Sequence, residues 1–501
     1  MKQRYLILLT GLLFSPVVFA QSPARHQSRL AAEMGALVSS TERTPFWLRA
    51  TQFGTVPLTA PVGTLRLGLA GRLALSDTTT GRYHARHNRA WTLEYRVEAV
   101  GNVGKANQVL LPEAYVKLAY RGMELVAGRR REVIGLVDST LSSGSYAWSG
   151  NALPIPKVQF GTRGFVPLGR RGWLAINGFF AHGWYTNTWY MQHSFLHQKS
   201  LFFRVGRPTS AVRMYAGINH SAQWGGQSAY IDPKLAINGK LPGRLVDFPN
   251  VLFAIRTNGL NNDRISSFDY VNLYGNHLGS IDVGGELRFS AVHLLVYHQH
   301  VFEDVTGIFL KNLPDGLSGI RLHNNWPTAS GFQVNELVLE YLTTLNQSGP
   351  TLYQPDKKWK GADNYFNNSQ YREGWTYQDR VIGTPFLTRR QDIRAVYQNS
   401  SGWAIVNNRV QVFHAAVRAT VARQVELRAK LSYSRNYGIP EIFLPGPPAQ
   451  LSTLVQAGIP LRVLGGSYLT AAFAADHGNL YENAVGGFLG LRKTIWTTGR
   501  P

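Results

Sequence analysis

Cysteine is missing from all 501 positions, which removes disulfide frameworks and thiolate metal sites together. Such avoidance suits a protein exported through an oxidising compartment. Long apolar runs are missing as well. Beyond the first residues nothing supplies the roughly 20 uninterrupted apolar positions that a membrane helix needs, so a helical membrane protein is excluded. The backbone must stay in water or close into a barrel that satisfies its own hydrogen bonds. Acids are scarce beside bases, 29 Asp and Glu against 52 Lys and Arg, for a net charge of +23. No Pro/Ser-rich linker, composition shift or fixed-length repeat divides the chain, which disfavours solenoids and propellers and favours one large architecture.

What is present is period two. From Thr64 to Leu75 the odd positions read Leu65, Leu67, Leu69, Gly71, Leu73, Leu75, and the even ones Arg66, Gly68, Ala70, Arg72, Ala74. The alternation returns at Trp91, Leu93, Tyr95, Val97 against Thr92, Glu94, Arg96, Glu98. It returns again at Val425, Leu427, Ala429, Leu431, Tyr433 against Glu426, Arg428, Lys430, Ser432. A period of two marks strands, and strands with one greasy and one charged face suit a barrel with lipid outside and a wet lumen. The fold class expected is all-β, a large antiparallel transmembrane β-barrel of about 16–18 strands, its lumen partly occluded by loops or short helices. About 22 strands plus a plug domain would be cramped in this length.

Lys2 and Arg4, an apolar run from Tyr5 to Phe14 and Val18-Phe19-Ala20 before Gln21 have the form of a secretion signal. The expected division is a signal peptide over 1–20 and a barrel over 21–501, in the cell outer membrane. Orientation follows from turn length, since such barrels use short periplasmic turns and longer outer loops. Ala114 to Tyr120 and Met123 to Gly128 are joined only by Arg121-Gly122, a periplasmic turn. Arg131 to Pro156 is then an outer loop, a candidate to fold inward. Tyr185 to Ser200 and Ser221 to Asn250 are further outer loops, while Asn258 to Gly279 and Thr344 to Arg390 are long enough to hide a strand or short helices. Trp496 is placed as the terminal aromatic of the last strand.

Catalytic signatures are absent. No Gly-x-Ser-x-Gly elbow and no Gly-Lys-Ser/Thr phosphate loop occurs. His298-Gln299-His300 has metal-like spacing on one strand face, yet zinc needs further ligands. The carboxylate pairs Glu303-Asp304 and Glu336/Glu340 resemble a glycosidase pair, but charges of both signs are the ordinary filling of a barrel lumen. No enzyme activity, cofactor or metal is expected. The candidate glycan-binding residues are Tyr146, Trp148, Trp189, Tyr190, Trp224 and Tyr230, aromatic rings set among Ser, Asn, Gln and His. A sugar stacks its C–H face on such rings; the competing reading is the aromatic girdle at the lipid headgroups. With the basic charge, the expected partners are a capsular or extracellular polysaccharide of acidic type and outer-membrane lipid or lipopolysaccharide. Nucleic acid is not expected, and the barrel is read as a monomer. A porin for small or anionic solutes is the alternative.

Ordered stretches add a family likeness. Glu42 to Ala50 with Gly54 to Pro57, Trp148 to Asn151 through Pro154 to Gln159, Gly275 to Ser280, Phe302 to Gly307 and Asn312 to Leu317 together resemble the Wzi-type capsule assembly proteins, in the branch found in Bacteroidetes. The resemblance implies an outer-membrane barrel of about 18 strands acting as a lectin that holds capsular or extracellular polysaccharide. It transfers no individual contact residue.

Overall fold

The structure is a computed structural model that describes residues 26–75, 91–256, 264–326, 331–349, 361, 363–398, 401–462 and 464–498. The signal segment 1–20 and Gln21 lie outside the described residues. In chain order the wall strands are β1 His26–Ser39, β2 Val62–Ala74, β3 Trp91–Gly104, β4 Gln108–Tyr120, β5 Met123–Arg129 and β6, split into Lys157–Thr162 and Val166–Leu168. They continue with β7 Leu174–Trp184, β8 Phe195–Val205, β9 Val212–Trp224, β10 Asn276–Arg288, β11 Val292–Phe302 and β12 Gly316–Asn324. The circuit ends with β13 Phe332–Thr343, β14 Val410–Val421, β15 Val425–Asn436, β16 Ala449–Leu461, β17 Ser467–Gly478 and β18 Ala484–Thr498. Each strand pairs antiparallel with its neighbours, both parts of β6 pair with β7, and β1 pairs with both β2 and β18. The sheet therefore has no free edge, which is the condition for a sheet to cross lipid.

Parity runs as the sequence indicates. Leu65, Leu67, Val97, Val116 and Leu125 are exposed on the outer face. Arg66, on the opposite face of β2, lies 3.7 Å from Glu33 and 3.8 Å from Glu98. The inward charges continue as a ladder: Arg96 to Glu113 at 2.6 Å, Lys117 to Glu94 at 2.5 Å, Arg130 to Glu124 at 2.7 Å and Lys157 to Glu132 at 2.6 Å. Gly71 interrupts the leucines because Tyr95 of the next strand lies over it; a Cβ there would sit 2.4 Å from the tyrosine ring. At the seam a register shift between Leu30 and Ala31 sets Trp496 opposite Leu30, so Ile495 and Trp496 are both exposed on the outer face.

Most of the long connections leave one rim; the exceptions in length are the 75–90 connection between β2 and β3 at the other rim and the short 105–107 turn between β3 and β4 at the long-loop rim. Three of the long connections turn inward. The segments around Phe46–Arg49, Ile134–Ile155 and Tyr365–Ile393 form one core with wall residues from around the circumference, among them Leu37, Leu196, Leu278, Leu342, Val412 and Leu454. This is a plug. Its strands hold one another: Trp375 Nε1 donates to the Ala147 carbonyl (3.1 Å), Asn151 Nδ2 to Val381 (2.9 Å) and Ser149 Oγ to Gly383 (2.6 Å). Gly383 is required there, since a Cβ would lie 2.1 Å from the Tyr146 carbonyl. The wall then grips the plug. Glu340 of β13 accepts from Ser142 Oγ at 2.7 Å and the Ser143 N–H at 2.6 Å, Asp282 of β10 accepts the Leu136 N–H at 2.9 Å, and His414 Nε2 reaches the Leu141 carbonyl at 2.7 Å. Lys430 places its ammonium 4.2 Å from the centre of the Trp47 ring.

Glu336 and Glu340 do share a face, and both are occupied. Glu336 is ion-paired with Arg321 and Arg418, and Glu340 holds the plug. His298 meets Ser318 Oγ (2.9 Å), and His300 the Gly307 carbonyl (2.9 Å).

On the outer connections beside the plug, a set of carboxyls is buried together. Burial pushes the Asp315 carboxyl up to about 6 and Asp363, next to Asp304, up to about 8, with Glu303 raised well above the usual range. Groups raised on folding contribute stability that is complete below their ordinary pKa of about 4 and is lost as pH rises through the folded values. The contribution of Asp315 and Asp363 should therefore fade between about pH 4 and about pH 8. In thermal melts followed by tryptophan fluorescence, Asp363→Asn should raise the midpoint at the upper pH and match the wild type at the lower one. An equal effect at both would contradict the assignment.

Candidate functional site

The outer rim carries a cleft of about 900 Å³ between the 185–194 connection and the 371–404 stretch. Its walls begin with Trp189 and Tyr190, whose rings meet edge to face at 5.5 Å. Tyr230 leans on Trp189 from outside (5.7 Å). Beside them the Arg372 guanidinium, hydrogen-bonded to the Tyr190 side chain, lies 4.6 Å above the Trp403 ring. The connection is held in shape by Thr188, whose Oγ1 donates to Glu373 at 2.5 Å and accepts the Met191 N–H at 2.9 Å. Beneath, Tyr190, Met191, Ile231, Leu241 and Tyr371 pack as a small core. Burial raises the Glu373 carboxyl above its ordinary value, the Thr188 bond acting against that shift. Arg389 is committed to Asp392 (3.2 Å). The cleft thus offers aromatic planes, a guanidinium stacked on an indole, and amide and hydroxyl groups, the chemistry that grips a hydroxylated ring.

Of the six rings marked in the sequence, Trp189, Tyr190 and Tyr230 come together at this cleft. The other three do not. Tyr146 is wholly buried and Trp148 nearly so, both inside the plug, and neither ring has a face free for a sugar. Trp224 ends β9 on its outer face, where Phe248 of the 225–275 connection covers it at 5.4 Å. Gly- and Ser-rich surroundings mark irregular backbone, and irregular backbone fills the plug as readily as it forms a rim. Trp403 and Arg372 escaped the sequence reading because the 344–409 stretch shows no period. Ser401-Gly402-Trp403 carries the same signal as the rings that were marked.

Charge is also distributed otherwise than expected. In the outer connections bases and acids are interleaved, as in Glu42 with Arg43, Arg264 with Asp247 and Arg389 with Asp379 and Asp392. The short inner turns carry Arg121, Arg170, Arg171, Arg207, Arg423 and Arg462 and, among the described residues, no Asp or Glu. Among the described residues, the positive excess of the connections lies at the rim of the short turns rather than at the rim that carries the cleft.

Residues 74–418 match the family described as capsule assembly protein Wzi. The chain belongs to that family. The matched range includes most of the plug and both walls of the cleft, and begins after the Glu42 to Pro57 stretch on which part of the resemblance rested. Among solved structures, Wzi of Escherichia coli, titled an outer-membrane protein involved in group 1 capsule assembly and a carbohydrate-binding β-barrel, superposes with a TM-score of 0.57 at 14% identity, covering 94% of this chain and 85% of that one. OccAB4 of Acinetobacter baumannii gives 0.46 at 8% identity (95% and 99% covered), and OccK5 of Pseudomonas aeruginosa 0.44 at 8% (94% and 98%). No protein of curated function matches the sequence.

Proposed function

We propose that this family member is a non-catalytic outer-membrane lectin that binds capsular or extracellular polysaccharide and serves its assembly or attachment at the cell surface. The observation that carries the reading is the cleft in which Trp189, Tyr190, Trp403 and Arg372 converge above a filled lumen. A porin would need a continuous wet path, and the plug core occupies that path. The plausible acid and base pair, Glu336 and Glu340, is consumed by structural partners. The acidic preference of the ligand rests on Arg372, the guanidinium best placed to meet a uronate while its neighbours offer stacking.

Retention of purified capsular polysaccharide by the detergent-solubilised protein tests this. Aromatic contacts are each worth about 0.5–1.5 kcal/mol, so Trp403→Ala or Trp189→Ala should weaken binding by about two- to tenfold, with unchanged heat-modifiable migration. Arg372→Gln should remove most of the salt-sensitive part, which shrinks as the screening length falls from about 10 Å at 0.1 M to about 3 Å at 1 M. Full retention by the triple variant would refute the cleft.

A further inference from the structure

The inner end of the lumen holds a second cavity, far from the outer cleft. It measures about 460 Å³ and is lined by Arg29, Arg462, Arg492, Tyr468, Pro460 and Thr494. Register places it on the lumen face: Glu33, which pairs inward with Arg66, stands opposite Arg492, Arg492 stands opposite Tyr468, and Tyr468 opposite Pro460. Arg29 is on the same side of β1 and donates from Nε and Nη2 to Thr494 Oγ1 (3.0 and 2.6 Å). Three guanidinium groups therefore border one space. Among the described residues none of the three has a carboxylate within ion-pair distance, although elsewhere the lumen pairs its charges in a ladder. Glu33, the acid in line with Arg492, is engaged by Arg66.

Like charges around a concave wall repel one another and raise the local concentration of an anion. Guanidinium groups offer paired donors that suit carboxylate and phosphate. The Pro460 and Tyr468 rings supply a flat apolar side, and the volume falls in the range of small-molecule sites. We propose that this vestibule binds an oxyanion carried on a sugar-sized body, a uronate or a sugar phosphate, entering from the periplasm. A phospholipid headgroup carries the same anion, but the lumen-facing register turns the arginines away from the bilayer. The site is separate from the outer cleft and does not depend on the function proposed for it.

Calorimetric titration of the full-length barrel in zwitterionic nanodiscs supplies the test, with glucuronate, glucose 6-phosphate and glucose as probes. The two anions should bind at least about tenfold more tightly than glucose, the scale of one charge-assisted contact. Arg462→Gln, in an exposed turn, should weaken them by about tenfold, and Arg29→Gln with Arg492→Gln should abolish binding. Arg372→Gln in the outer cleft should leave these titrations unchanged, so failure of one site is distinguishable from failure of the other. Equal affinity for glucose and glucuronate, or full binding by the vestibule variants, overturns the proposal. Competition by phosphatidylglycerol added to the nanodisc would assign the arginines to lipid instead and overturn it equally.

Discussion

Deleting Leu141–Ser149 should convert a barrel with little or no steady conductance in planar bilayers into an open channel. The segment brings Ser142, Ser143, Ser145, Tyr146 and Trp148 into the lumen, all buried. Removing the segment cuts one or more bonds from each of Glu340, His414 and Lys430. Tyr297 still donates to Glu340, Ser432 still meets His414 and the Trp47 ring still lies beside Lys430, so the lost bonds cost little and the wall should survive. Conductance should rise toward that of the aqueous channel left by barrels of about 16–18 strands. A milder variant, Glu340→Ala, cuts the two bonds to Ser142 and Ser143 and should yield intermittent openings. Large stable channels in the intact protein would return the porin reading to first place.

The second large effect belongs to the outer face. Leu69 lies near the middle of β2, opposite Leu30 on one side and Val97 on the other. Arginine at the bilayer midplane of such a wall costs about 2–4 kcal/mol, so Leu69→Arg should sharply reduce the folded, heat-modifiable fraction. Arg72→Gln is the control. Its side chain is half exposed at the inner end of the lumen and lies 3.8 Å from Glu94, a pairing worth at most about 1 kcal/mol. Equal assembly defects would mean that the parity is wrong.

The wall was legible wherever one face met lipid and the other met water. That contrast holds along β2, β3 and β15, whose leucines, valines and lumenal charges spell the period directly. It fails at the outer ends of β8, β9 and β10. There His197, Lys199, His220 and His277 sit at positions of outward parity, beneath the 225–275 connection rather than lipid: Phe248 packs on His197 at 5.3 Å, and Lys199 donates to the Leu252 carbonyl. With polar residues on both faces, the sequence reading began the third outer loop at Ser221, although β9 continues to Trp224, and carried the second to Ser200, although β8 starts at Phe195. The cleft was half legible. Trp189, Tyr190 and Tyr230 stood out as rings in polar surroundings, but what separates them from Tyr146 and Trp148 is which way a connection folds, and that depends on wall partners such as Glu340 and Gln299 far away in sequence.

The seam between β1 and β18 imposes an order on biogenesis. Ser28 and Thr498, joined by hydroxyls 2.7 Å apart, are separated by 470 positions. The first strand made must wait for the last, so export of the entire chain precedes sealing of the wall. Until then two strand edges stay open to any neighbouring chain, and a contact this distant in sequence forms slowly. A holding factor that shields those edges in transit would raise the yield of sealed barrels without altering the finished protein, and a truncation that removes Ala484–Thr498 should leave chains that never leave the holding stage.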